Sequence, residues 1–183
     1  MTTRLVVDTS ALVSLALVDC LDLLDALGYE LAVAPAVIQE LHQMASRSDT
    51  LSRAAESALQ TVAKFETALD EAAQDLASQL VVLPRLGQGE AETLALAAQL
   101  NSFEMLVDDV RAMGGLAGVA RTLEVNISPS SYVFVKAYLD EMLTYGQVVQ
   151  LLERLAASRG WQQSVLYYTA LVMMEQARMA KEE

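Results

Sequence analysis

A short β-branched run, Arg4-Leu5-Val6-Val7, stops at Asp8-Thr9-Ser10 and passes straight into a helical apolar pattern through Leu12, Leu15, Leu23, Leu24 and Leu27. This reads as a buried strand feeding a capped helix, and the same junction recurs along the chain. Gly28 ends the first helix, Leu31-Ala32-Val33-Ala34 reads as a second strand, and Pro35 opens a helix carrying Val37, Ile38 and Leu41. Leu80-Val81-Val82-Leu83-Pro84 reads as a third strand, Gly89 to Gln99 as a helix, and Met105-Leu106-Val107 as a fourth strand ending on Asp108-Asp109. A helix over about Leu116 to Leu123, its start loosened by Gly114-Gly115, leads to a fifth strand at Val125-Asn126-Ile127. Such alternation predicts an α/β fold with a mostly parallel sheet covered on both faces. The Ala-, Gln- and Glu-rich segment from Asp49 to Ser78 has no Gly or Pro and is expected to form one long helix or a hairpin of two.

After Pro129 the alternation ends. Residues 130–183 read as two or three amphipathic helices punctuated at Gly146 and Gly160, and they hold seven of the ten aromatic residues. The expected organisation is an α/β domain over 1–129 and a helical extension over 130–183, packed on the sheet or used as an interface.

Charge limits the function. The chain carries 24 acidic against 12 basic residues, a net charge of −12, the reverse of what blanket neutralisation of nucleic-acid phosphates requires. An enzyme whose carboxylates hold a cation remains open. The single cysteine, Cys20, excludes a disulfide framework and suits a reducing cytoplasm, with a small buried hydrophobe as its expected role. Arg4 followed by the apolar stretch Ala11 to Val18 has the outline of a signal peptide, but Asp8 interrupts it and no small-x-small site follows before Asp19. No stretch has the roughly 18 apolar residues of a membrane span. A soluble, cytoplasmic protein is expected.

In a doubly wound parallel sheet, ligands gather at the carboxyl ends of the strands where the strand order reverses. Acids fall at two such ends, Asp8 and Asp108-Asp109, and Glu40 and Glu92 are expected to flank the same rim; Glu90, two residues from Glu92, cannot face one site squarely together with it. Carboxylates converging there repel one another unless a cation lies between them, and oxygen ligands select Mg²⁺ or Mn²⁺. Each also has a plainer role: Asp8, Ser10, Asp108 or Asp109 as a helix cap, Glu40 as a solvated helix residue, Glu90 and Glu92 as first-turn acids favoured by the helix dipole.

As an ordered set these segments resemble the acidic motifs of PIN-domain ribonucleases: Val-Val-Asp8-Thr-Ser10-Ala-Leu, Val-Ile-Gln-Glu40-Leu, Gly-Gln-Gly-Glu90-Ala-Glu92-Thr-Leu-Ala-Leu-Ala and Leu-Val-Asp108-Asp109. The Gly-Glu-Ala-Glu variant with a helical tail resembles a prokaryotic branch related to VapC-type toxins. The resemblance covers about residues 3 to 165. It implies a three-layer α/β/α fold with a five-stranded parallel sheet and a metal-dependent endoribonuclease site. Asp8 matches the first acid, Ser10 the hydroxyl residue beside it, and Glu40 the second acid. Glu92 fits the third better than Glu90, through the apolar register after it, and the fourth falls on Asp108 or Asp109. The chain departs from the pattern where Val-Arg111-Ala-Met-Gly-Gly follows the Asp pair, and where Ser128-Pro-Ser-Ser131 stands in place of Gly-Thr.

The implied mechanism is metal-assisted hydrolysis of an RNA phosphodiester. Asp8, Glu92 and Asp108 or Asp109 would hold one or two Mg²⁺ or Mn²⁺ ions, Glu40 would orient a water, and Ser10 would bond a carboxylate or phosphate. Glu90 and Arg111 are expected in supporting positions, and His42 on the surface. Given the net charge, RNA contact is expected to be local, through a few residues such as Arg47, Arg53, Arg85 or Arg111. An antitoxin partner and a homodimer are further expectations from the toxin resemblance. The rival reading is an inactive PIN-like module that assembles through its C-terminal helices.

Overall fold

The computed structural model describes residues 3–84 and 86–182. Four parallel strands form one sheet in the order β2-β1-β3-β4, with β1 (Arg4–Val7), β2 (Glu30–Ala32), β3 (Glu104–Leu106) and β4 (Asn126–Ser128). Leu5, Val6 and Val7 are all buried. Successive strand side chains point to opposite faces, so helices must cover both sides of the sheet.

The connections supply that cover. α1 (Thr9–Leu17) and α2 (Asp22–Ala26) link β1 to β2. Between β2 and β3 run α3 (Pro35–Ala45), α4 (Thr50–Val62), a 3₁₀ turn (Ala63–Phe65), α5 (Glu71–Leu80) and α6 (Gln88–Gln99), and α7 (Val110–Thr122) links β3 to β4. Then come α8 (Ser131–Leu139), α9 (Tyr145–Arg159) and α10 (Val165–Glu182). Val133, Phe134, Leu152, Leu155 and Met174 from these last helices join the buried core that holds β1 and β3. Among the described residues, no helix is long and apolar enough to cross a membrane.

Several expectations need correction. The described residues form four strands, not five: Leu80 ends α5, and the next residues are a turn closed by Leu83 N–H to Leu80 O. Val82, 77% exposed, has no sheet to pack against, and the Asp70 side chain, accepting from Ala73 N–H, starts the helix that absorbs this segment. The first helix breaks in two at Asp19, whose φ of +57° is left-handed. α7 begins at Val110 and runs through Gly114-Gly115, because Asp109 caps it strongly. The segment 49–78 forms two helices, one of its two expected forms, but they pack on different neighbours, α4 on α1 and α3, α5 on α6.

Candidate active site

β1 pairs with β2 on one side and β3 on the other, so the strand order reverses between β1 and β3. Asp8 N–H donates to Leu106 O at 3.0 Å, which carries the β1–β3 pairing one residue past the strands and sets the Asp8 carboxyl at the crevice. Asp8 is also the N-cap of α1, its Oδ2 accepting from Ser10 N–H at 2.9 Å and Ser10 Oγ at 2.5 Å. Ser10 Oγ in turn accepts from Asp108 N–H at 2.8 Å. One hydroxyl thereby ties the two strand ends together.

Glu40 of α3 reaches the same place. Its Oε2 accepts from Thr9 Oγ1 at 2.6 Å and its Oε1 from Gly89 N–H at 3.2 Å. A Cβ on residue 89 would lie 2.6 Å from Glu40 Oε1, so only glycine permits this approach. Next to it, Glu90 turns back to accept from Gly87 N–H at 2.7 Å through Oε2. Asp109 caps α7, Oδ1 accepting from Arg111 N–H at 2.7 Å and Ala112 N–H at 3.0 Å.

Asp8, Glu40, Glu90 and Asp109 line one cleft of about 200 Å³, together with Thr9, Ser10, Val13, Met44 and Arg159. Asp8 is 2% exposed, and burial, reinforced by the charges of Glu90 and Glu40, pushes its carboxyl up to about 7 against the opposing hydrogen bonds from Ser10. Burial also raises Glu90, with Glu40 and Asp109 adding to the effect. Each Glu40 oxygen accepts one hydrogen bond, whereas Asp8 Oδ1, Glu90 Oε1 and Asp109 Oδ2 are left without hydrogen-bond partners among the described residues.

The two other acids expected at the site do not line the cleft. Glu92 lies along a different groove with Pro35 and Gln88. Its Oε2 accepts from Ala36 N–H at 2.9 Å and its Oε1 from Gln88 Nε2 at 2.7 Å. The reason is local: the N-cap of α3 is Ala34, which offers no acceptor, so Glu92 supplies one from across the fold. Asp108 is buried with both oxygens engaged by Ser130, Oδ1 by N–H at 2.8 Å and Oδ2 by Oγ at 2.6 Å. Burial raises its carboxyl too, opposed by those bonds and by the more distant charge of Arg159. It anchors the start of α8.

Among the basic residues expected near the rim, Arg47, Arg53 and Arg111 are exposed and do not line the cleft, and Arg85 lies outside the described residues. Arg111 contributes its backbone N–H to Asp109. Arg159, which ends α9 far along the chain, lines the cleft although it belongs to none of the acidic motifs. Its only sequence signal is its position before Gly160, where a helix stops.

A family model described as PIN domain matches residues 4–176, nearly the whole chain. The chain belongs to the PIN-domain family. No curated protein matches it. PIN domains are generally nucleases, hydrolases that typically use divalent metal ions. Among the described residues of this PIN domain, no three His, Cys, Asp or Glu side chains are gathered into a ready ligand cluster. The donor chemistry nevertheless fits a hard cation: every donor is a carboxylate oxygen, three of them unengaged, and Mg²⁺ characteristically keeps several waters and takes only one or two carboxylates. Asp8, Glu90 and Asp109 are the residues from which one or two oxygens would hold it, with water completing its shell.

Proposed function

We propose that this PIN domain is an Mg²⁺- or Mn²⁺-dependent endoribonuclease that hydrolyses RNA phosphodiester bonds. The observation that carries the reading is the strand-order reversal lined by Asp8, Glu90 and Asp109, each with one unengaged oxygen. When bound, the ion supplies an activated water and neutralises charge on the phosphate. Ser10 fixes the rotamer of Asp8, so that Oδ2 is held and Oδ1 faces the cleft. Glu40 is a positioning residue. By holding Thr9 and Gly89 it sets the start of α1 against the first turn of α6, and so the distance between Asp8 and Glu90.

The test is Mn²⁺ titration calorimetry on the full chain, paired with cleavage of a fluorogenic RNA. Wild type is expected to bind Mn²⁺ and cut, and Asp8→Asn to do neither; Mn²⁺ heats indifferent to Asp8→Asn overturn the reading.

The toxin role extends the proposal on the resemblance to VapC-like proteins, with an antitoxin encoded beside this gene as its check. A cytoplasmic setting accords with Cys20, a free buried thiol. The rival, an inactive assembly module, draws on an exposed apolar stripe along α10: Val165, Tyr168, Val172 and Met179. Absence of Mn²⁺ binding together with a dimer in sedimentation would favour it.

A further inference from the structure

The cleft is lined by four acids, yet an RNA strand must bring at least one phosphate into it. Among the described residues, the one cationic side chain lining the cleft is Arg159. It makes no ion pair with any of the cleft carboxylates, so its charge is not already neutralised by a single partner. Its guanidinium instead lies 5.3 Å from the centroid of the Trp161 ring.

The chain's path explains that placement. Gly160 ends α9 with φ +67°, and Trp161 N–H then bonds Ala156 O at 2.8 Å, closing the turn so that the indole folds back beside Arg159. Both side chains are half-buried. A planar guanidinium braced on a ring and facing open space is suited to the oxygens of a phosphodiester, which it can grip with two parallel N–H bonds.

We propose that Arg159, braced by Trp161, is the residue with which this chain binds an RNA phosphate beside the cleft carboxylates, making the end of α9 part of the substrate site. The assignment rests on the nuclease reading and deepens it. It makes Arg159 a substrate-binding residue and Trp161 a positioning residue, and it explains how a chain of net charge −12 can hold RNA through a local contact.

The experiment measures anisotropy of a fluorescein-labelled single-stranded RNA with the full chain in EDTA over a range of salt concentrations. Steady-state cleavage of the same RNA in Mn²⁺ and Mn²⁺ calorimetry run alongside. Arg159→Ala is expected to weaken RNA binding about tenfold or more for every sequence tried and to reduce the salt slope by about 0.7, the loss of one single-strand phosphate contact. Mn²⁺ affinity should hold and KM should rise more than kcat falls. Arg159→Lys should recover the salt slope but only part of the affinity, and Trp161→Leu should weaken binding less than Arg159→Ala.

A purely structural role for Arg159 would lower the melting temperature without moving the salt slope, and that result overturns the assignment. So does a loss confined to one RNA sequence, which would mean base contact. A wild type that binds or cuts RNA but is indifferent to Arg159→Ala overturns this assignment alone. A wild type that neither binds nor cuts overturns it together with the nuclease reading.

Discussion

Asp8 and Asp108 sit at the ends of neighbouring strands and are almost equally buried, 2% and 4% exposed, and burial raises the carboxyl of each. Their surroundings differ in one respect. Asp108 has both oxygens engaged by Ser130, whereas Asp8, which lines the cleft, has one engaged by Ser10 and the other without a hydrogen-bond partner among the described residues. The same contrast separates Glu90 from Glu92, two residues apart on α6: Glu90 keeps an oxygen for the cleft, and Glu92 gives both to Ala36 and Gln88. Burial and charge therefore do not tell these acids apart. Their hydrogen bonds do: a carboxylate oxygen that accepts none keeps both lone pairs for a ligand, whereas one that already accepts a bond has a single lone pair left.

The largest test of this contrast is Asp8→Asn. Removing an oxygen donor from a metal-assisted hydrolysis should lower cleavage by about 10³-fold, roughly 4 kcal/mol of transition-state stabilisation. The same variant should stabilise the metal-free fold. Asp8 titrates at about 7 when folded against 3.8 for the free side chain, so between those values the folded state retains a proton that the unfolded chain has released. That burden is absent at lower pH and grows as pH rises from about 4 to about 7, so wild-type stability declines through that window. Melts in EDTA should show a decline that Asp8→Asn flattens, and parallel curves for the two proteins would contradict this.

Asp108→Ala should act the other way. Leaving the buried Ser130 N–H and hydroxyl without an acceptor should cost about 2–4 kcal/mol in urea unfolding. Mn²⁺ affinity per folded molecule should stay as in wild type; loss of Mn²⁺ binding at preserved fold would move Asp108 into the working set.

A smaller effect separates the α6 pair. Glu90→Gln should reduce cleavage by about 10- to 100-fold, whereas Glu92→Gln, which keeps an acceptor for Ala36 N–H, should stay within about twofold, since one metal-facing charge is worth a few kcal/mol and a part-buried helix-cap contact that the amide oxygen can still make is largely retained. Assayed under identical conditions, the reverse ranking would restore the sequence-based preference for Glu92.

Least in size is Gly89→Ala. Its Cβ would meet Glu40 Oε1 at 2.6 Å, and because that carboxylate ends a flexible side chain and alanine favours the helix, the net loss of stability should be no more than about 1 kcal/mol. Cleavage should fall with it, and because Glu40 positions Asp8 against Glu90, Mn²⁺ affinity should weaken as well. An unchanged Mn²⁺ isotherm would show that Glu40 does not set the cleft.

Much of this protein is legible in its residues. The β-branched run before Asp8, the apolar run before Asp108, and the helices following both were enough to place acids at a parallel sheet's carboxyl edge, since local periodicity reports burial and strand ends are where turns begin. The apolar run at Leu80 to Pro84 misled because a short hydrophobic stretch is consistent with either a strand or the end of a helix, and only the packing of α5 on α6 resolves it.

What tertiary structure alone decided is which partners engage each acid. Glu92 is engaged because Ala34 cannot cap α3, Asp108 because Ser130 folds onto it, and Arg159 reaches the cleft because α9, which it ends, packs on α1. Each of these depends on a partner at least 20 residues away. A motif specifies which side chains are present, but a carboxylate's availability depends on the donors around it, and those are assembled only when distant segments meet.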